Sequence, residues 1–267
     1  TVNVSAAEAK VTVENSTVNC NDNNTTQGEA YAALCLNKEA VGGSIVAKNS
    51  TINVTDGSDS EKGRNGAENG TVTINGATEG VAVMVAVITY EGSDYYHSFA
   101  TLEKAIEFAK AGDAITLIRD IEVSEIITID KAITLDGKGK KLTSTAARAI
   151  NIDANGEVVI NNLTVEAGER AFNIINKPAI VELNGVTATA NNNAVMIATT
   201  AGAAKVSIND CNFTGLAVVN VAGAESNVAI KNSTITNVDA NEGENYGAIT
   251  VWSSAKAAVV NVENTEI

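Results

Sequence analysis

The sequence predicts an all-β fold, a parallel β-helix solenoid in two stacks with one short amphipathic helix near 101–111. Three observations carry that expectation: the composition, a short apolar triplet that recurs along the chain, and a column of turn residues locked to it. The 267 residues are 45% hydrophobic yet only 4% aromatic, with 21 Gly and a single Pro. A core of Val, Ile, Ala and Thr with so few rings suits many short strands better than a bulky globular interior.

The triplet places two inward apolar residues around one outward residue. It occurs at Val11-Thr12-Val13, Ile45-Val46-Ala47, Val72-Thr73-Ile74, Ile133-Thr134-Leu135, Val158-Val159-Ile160, Val181-Glu182-Leu183, Val206-Ser207-Ile208, Val228-Ala229-Ile230 and Val260-Asn261-Val262. From Ile160 the steps to Leu183, Ile208, Ile230 and Val262 are 23, 25, 22 and 32 residues. Alternation at that period implies one set of strands per coil of a solenoid. Two residues beyond each triplet stand Asn15, Asn49, Gly76, Gly137, Asn162, Gly185, Asp210, Asn232 and Asn264. All are types that tolerate left-handed backbone angles. They predict a bend repeated once per coil, with Asn15, Asn49, Asn162, Asn232 and Asn264 stacking their amides into a ladder. A further strand per coil is visible at Phe172-Asn173-Ile174, Val195-Met196-Ile197, Val219-Asn220-Val221 and Ile249-Thr250-Val251. Several strands in a coil of this length give parallel β-helix geometry, with coils about 4.8 Å apart.

A longer repeat overlies the short one. TVNVSAAEAK (1–10) resembles VVNVAGAESN (218–227), and VTVENSTV (11–18) matches VAIKNSTI (228–235), an offset of 217. After a two-residue gap, Gly28, Glu29, Tyr31 and Ala33 match Gly243, Glu244, Tyr246 and Ala248 at an offset of 215. The expectation is a window cut from an array of units of about 216 residues. In it, 1–80 are the last coils of one unit, 81–97 a strand linker, and 98–267 a capping helix followed by the next, truncated unit.

The helix rests on the stripe Leu102, Ala105, Ile106 and Ala109, with Ser98 or Thr101 as its cap and Gly112 as its end. The surrounding stretch, SFATLEKAIEFAKAGDAITLIRDIEVSEIITIDKAITLDGKGKKL (98–142), resembles the entry of bacterial surface proteins with a right-handed, pectate-lyase-like β-helix. The resemblance implies that the helix covers the open end of the core and that GDAITL and ITLDGKG form the first two rungs. It carries fold rather than activity, because such folds host lyases, hydrolases, adhesins and phage spikes alike.

Charge and composition narrow the function classes. Against 18 Lys+Arg stand 32 Asp+Glu, a net charge of −14, which disfavours nucleic-acid binding and a basic membrane-surface patch. No apolar run reaches the roughly 20 residues of a membrane helix. One His and three Cys (Cys20, Cys35, Cys211) disfavour zinc, haem and a disulfide framework. Cys20 and Cys35 lie in one long coil, which leaves a bridge between them open, while strand parity, with Cys20 inward and Cys35 outward, favours unpaired thiols. His97, beside Tyr95 and Tyr96, reads as a packing residue at the junction of the stacks.

An enzyme on this scaffold would need acids and bases clustered on neighbouring rungs. The outward column Val159, Glu182, Ser207, Ala229, Asn261 holds one carboxylate, and the column Asn173, Met196, Asn220, Thr250 holds none. Glu166 and Arg170, near Glu182, read as a solvated ion pair. The expected function is therefore non-enzymatic: an adhesin-like structural or binding repeat of a large secreted or bacterial cell-surface protein. The alternatives are a β-helix polysaccharide lyase or hydrolase, and a self-assembling filament or phage tail-spike segment. A host or neighbouring-cell glycan or protein is the expected partner, with self-association through the solenoid ends as a second mode. Neither nucleic acid nor membrane insertion is expected for this segment. Tyr31, Tyr246 and Trp252 are the candidate ligand contacts. No cofactor is expected, with Asp239, Asn241 and Glu244 as candidate oxygen ligands should Ca²⁺ bind. Thr187-Ala188-Thr189, Asn212-Phe213-Thr214 and Thr234-Ile235-Thr236 form Thr-rich outward ranks that resemble those of ice-binding solenoids, although β-branched Thr also simply suits exposed strand positions.

Overall fold

The computed structural model describes residues 1–21, 32–55, 61–90, 96–238 and 247–267. The chain is a parallel β-helix solenoid divided into two compact units, Thr1–Phe108 and Ala109–Ile267.

In the second unit each coil contributes one strand to each of three parallel sheets. The first sheet stacks Ala114–Leu117, Thr134–Asp136, Glu157–Asn161, Ile180–Asn184, Lys205–Asn209, Asn227–Lys231 and Val259–Glu263. The second stacks Ile121–Val123, Lys141–Ser144, Thr164–Ala167, Thr187–Ala190, Asn212–Gly215 and Thr234–Asn237. The third stacks Ile127–Ile129, Arg148–Ile152, Arg170–Ile174, Asn193–Ile197, Val219–Val221 and Ile249–Val251. Ile160, Leu183, Ile208, Ile230 and Val262 are successive register partners, so the period read from the triplets is the coil period. Val158, Val181, Leu183, Ile208, Val228 and Ile230 are fully buried, whereas Val159, Glu182, Ser207 and Ala229 between the inward positions stay half-exposed. Each such apolar side chain stabilises the stack by about 1.5–3 kcal/mol on burial. Phe172 and Phe213, both fully buried, are the largest of the core side chains.

The bend after the first sheet is a left-handed residue. Asn162 (φ 51°), Gly185 (62°), Asp210 (55°), Asn232 (51°) and Asn264 (48°) repeat it in the second unit, and Asn15 (50°) and Asn49 (48°) in the first. Two positions depart from the sequence expectation. At Gly76 the bend widens to include Asn75 (φ 50°). At Gly137 the positive φ moves to Lys138 (51°) and Gly139 (75°). Gly137 has a different reason to lack a side chain: a Cβ there would lie 2.6 Å from the Asn162 carbonyl oxygen and 2.7 Å from the Leu163 Cα.

The amide ladder also runs elsewhere than expected. It is formed one residue earlier, where Asn184 Nδ2 donates to Asn161 Oδ1 (3.0 Å) and Asn209 Nδ2 to Asn184 Oδ1 (2.9 Å). The left-handed residues join coils through their backbone instead, as Asn162 N to Asn184 O (2.9 Å) and Asn232 N to Glu263 O (3.1 Å). Just after them runs a third column, of hydroxyls and one thiol. Ser16, Ser50, Cys211, Ser233 and Thr265 each donate to the carbonyl two residues back. The same atoms accept from the previous coil, as in Ser16 N to Ser50 Oγ (3.2 Å) and Cys211 N to Ser233 Oγ (3.1 Å). At these five bends the side chain thereby supplies a partner to backbone groups beside the turn.

The first unit repeats this plan in fewer coils. Val2–Val4, Leu34–Leu36, Gly63–Asn65 and Val81–Val83 form one parallel sheet; Lys10–Glu14, Ser44–Lys48 and Thr71–Ile74 a second; Thr17–Asn21 and Thr51–Thr55 a third. Its register carries the long sequence repeat into three dimensions. Val2 pairs with Leu34 as Val219 does with Ile249, Val11 with Ile45 as Val228 does with Val260, and Thr17 with Thr51 as Thr234 does with Glu266. Even an ion pair recurs with its charges exchanged, Glu14–Lys48 (3.4 Å) against Lys231–Glu263 (3.1 Å).

The first unit ends in an antiparallel pair, Ala86–Thr89 with Tyr96–Phe99, and the helix Leu102–Phe108. Leu102, Ala105, Ile106 and the following Ala109 are buried, the stripe read from the sequence. The cap is Thr101, whose Oγ1 accepts from Lys104 N (3.2 Å), while Ser98 belongs to the strand. The helix stops short of 111 because Lys110 N turns to the Asp113 carboxylate (2.8 Å). The residues expected to open the second stack, 98–108, thus fall within the first compact unit. His97 is buried there, with its ring 4.5 Å from that of Phe108 and its Nδ1 2.9 Å from the Tyr90 hydroxyl.

Cys20 is buried beside its register partner Val54, and Cys35 stands in another sheet between Asn3 and Arg64. All three cysteines are free thiols.

Candidate functional site

Three outward faces of the second unit hold the side chains from which a site has to be assembled. On the first sheet, Thr134, Val159, Glu182, Ser207, Ala229 and Asn261 form one column, with the carboxylate of Glu182 flanked by Val159 and Ser207. The adjoining column, Asp136, Asn161, Asn184, Asn209, Lys231 and Glu263, is occupied by the amide ladder and by the Lys231–Glu263 pair at its end. Asp136, at its start, is engaged by Lys138 (3.2 Å), and the Asn161, Asn184, Asn209, Lys231 and Glu263 groups are spent within the column.

On the second sheet, Thr164, Thr187, Asn212 and Thr234 stack in one column, and Glu122, Thr143, Glu166, Thr189, Thr214 and Thr236 in the next. Glu166 pairs with Lys141 (3.1 Å), not with Arg170 as the sequence suggested. The reason is register: Glu166 lies on the second sheet beside the Lys141 strand, while Arg170 opens a strand of the third.

The third sheet carries the column Thr128, Asn151, Asn173, Met196, Asn220, Thr250. Expected as an exposed row, it is covered at two places: Asn173 is 1% and Asn220 6% exposed. Arg170 folds onto Asn173, donating from Nη1 to Oδ1 (3.5 Å), and Asn173 Nδ2 passes the chain on to Asn151 Oδ1 (3.0 Å). Arg170 is the register partner of Arg148, so two guanidinium groups occupy the same position of successive coils. The sequence signal for the pair is the recurrence of Arg148-Ala149-Ile150 as Arg170-Ala171-Phe172 one coil on, which an acid–base criterion does not pick out.

Of the residues singled out from the sequence as ligand or ion contacts, Trp252 is half-exposed just after the strand Ile249–Val251, and its backbone N–H donates to Val221 O (2.9 Å). Tyr31, Tyr246, Asp239, Asn241 and Glu244 lie outside the described residues. Among the described residues no group of three or more His, Cys, Asp or Glu side chains is arranged to hold a metal ion.

Cys211 gives a pH test of the bend column. Burial pushes its thiol up from the ordinary value of 9.0 to about 11, against hydrogen bonds to backbone that act the other way. The neutral thiol is the form the fold favours. Its contribution is therefore complete below the unfolded value and is lost as pH rises through the folded one. The change amounts to about 2–3 kcal/mol between roughly pH 9 and pH 11. Ser occupies the equivalent positions 50 and 233. Cys211→Ser is expected to match the wild type in urea midpoint at roughly pH 8 and exceed it at roughly pH 10.5. Parallel pH profiles for the two proteins would contradict this.

Comparison with protein-family models, with curated proteins and with solved structures finds no match for this chain.

Proposed function

We propose that this chain is a non-enzymatic structural and binding repeat of a larger secreted or cell-surface protein, adhesin-like in role, with the right-handed, pectate-lyase-like winding that its 98–142 stretch resembles. The observation that carries the reading is the long repeat. Residues 1–21 with 34–52 and residues 219–237 with 249–267 pair strand for strand in the same register. Such internal equivalence is the mark of an array that lengthens by adding units. A stack of coils rising about 4.8 Å each makes a stiff spacer. A net charge of −14 keeps such spacers apart from one another. The outward columns support a role without catalysis, since their polar groups are tied into ladders rather than gathered into an acid–base pair.

The test is to determine the mass and sequence of the intact native polypeptide. Further units of about 216 residues on both sides are expected. A native chain bounded at Thr1 and Ile267 would overturn the array. In parallel, acidic and neutral polysaccharides incubated with the protein are expected to yield neither unsaturated uronates nor new reducing ends. Release of either would return the lyase or hydrolase reading.

A further inference from the structure

We propose that Arg148, Arg170 and the Asn151 amide on the third sheet of the second unit form an oxyanion-binding site, suited to a carboxylate or sulfate group. The site goes beyond the array reading and does not depend on it.

Several lysines of this unit have found acids: Lys141 lies 3.1 Å from Glu166, Lys177 3.4 Å from Asp153, and Lys231 3.1 Å from Glu263. Arg148 and Arg170, register partners in adjacent strands, have no carboxylate within ion-pair distance among the described residues, in a chain with 32 acidic residues. Both are half-buried, and the Arg170 Nε is fully buried without a hydrogen-bond partner. A buried donor left unmatched is unfavourable, and an acceptor is what removes the deficit.

The amides beside them are already oriented. Asn173 is 1% exposed; it accepts from Arg170 Nη1 through Oδ1 and donates through Nδ2 to Asn151 Oδ1. Because Asn151 Oδ1 is committed as an acceptor, its Nδ2 is left as a donor. Register thus sets Arg148 beside Arg170 on adjacent strands, with Asn151 three residues along the Arg148 strand, so that three donor-bearing side chains share one stretch of the sheet. That is the complement of a planar or tetrahedral oxyanion, which Arg binds through paired N–H donors. The neighbouring turns are small, Ala146-Ala147 and Gly168, and add no bulk around the forks. The nearest acids in sequence are Glu169, beside Arg170, and Glu125, two residues before Ile127, the register partner of Ile150. Both are exposed, and neither forms an ion pair with the arginines. They set the competition that an incoming anion has to overcome.

The test follows Arg side-chain ¹⁵Nε resonances of the full chain at low salt. Sodium sulfate, a glucuronate-bearing oligosaccharide and the matching neutral oligosaccharide are titrated separately. Saturable shifts of Arg148 and Arg170 are expected with the oxyanions and not with the neutral sugar. Arg148→Gln and Arg170→Gln are each expected to weaken binding at least about tenfold. Lys205→Gln, on an exposed lysine of the first sheet, should leave it unchanged, and Glu125→Gln should tighten it. Unchanged melting temperatures separate lost binding from lost fold. Should a variant unfold, the wild-type titration alone still decides. Binding of the uronate alone assigns a saccharide source, and equal binding of sulfate assigns a small free anion; both support the site. No saturable shift, equal response to the neutral sugar, or undiminished affinity in both Arg variants would overturn it.

Discussion

Phe172→Ala is expected to destabilise the second unit by about 3–5 kcal/mol, the cost of emptying a ring-sized volume in a core that cannot close around it. Phe172 is fully buried at the middle of the stack, between the register partners Ile150 and Val195. In a solenoid each coil touches only its neighbours, so a cavity there weakens two interfaces at once. Fitted urea unfolding should show a lower midpoint, and Phe172→Leu should lose less than half as much. Among the described residues, Phe172 and Phe213 alone bring aromatic volume to this unit's fully buried core, which is otherwise aliphatic. An alanine variant as stable as the wild type would mean that the inward column is not a packed core.

The second large effect is at Gly137. Its replacement by Ala forces a Cβ to within 2.6 Å of the Asn162 oxygen and 2.7 Å of the Leu163 Cα, both of them backbone atoms that cannot rotate away. Overpacking of this kind costs about 1–3 kcal/mol where side chains give way, and backbone against backbone places it at the upper end or above. Gly139, two residues on, has φ 75° and open space where a Cβ would be. Gly139→Ala should therefore lose only about 1 kcal/mol, from backbone strain alone. Thermal melts of the pair discriminate close approach from backbone conformation. Equal losses, or the larger loss at Gly139, would show that the coil at Gly137 is not stacked on the next one as described.

The sequence made the coil period legible because burial enforces alternation: Ile160, Leu183, Ile208 and Ile230 cannot slip by one residue without turning every inward side chain outward. Asn15, Asn49, Asn162, Asn232 and Asn264 were legible as bends because few residue types accept a positive φ. Which Asn would build the amide ladder was not legible. Asn161 and Asn162 look alike in sequence, yet one ends a strand with its side chain beside Asn184 while the other turns the chain. The helix was placed by its stripe, but its end was set by the Asp113 carboxylate, a competitor that periodicity does not reveal. The outward row at Asn173 and Asn220 was read as exposed because strand parity knows only two faces. Arg170, folding back over its own strand, covers part of one. The arginine pair escaped notice for a related reason. Catalytic chemistry shows in a sequence as acids and bases meeting on one face, whereas two like charges at one coil position stand out only once the structure shows what lies beside them.

The most direct test of the stacked-coil account is to measure cross-strand amide-to-Hα contacts in an isotopically labelled sample of the full chain. The register requires contacts from Leu183 to residues around Ile160 on one side and Ile208 on the other, in parallel order. It also requires the matching set in the first unit, from Ile45 to residues around Val11 and Val72. Finding both sets would establish that one coil plan underlies the two units and their long repeat. Contacts in antiparallel order between strands adjacent in sequence, such as Glu157–Asn161 with Thr164–Ala167, would contradict it.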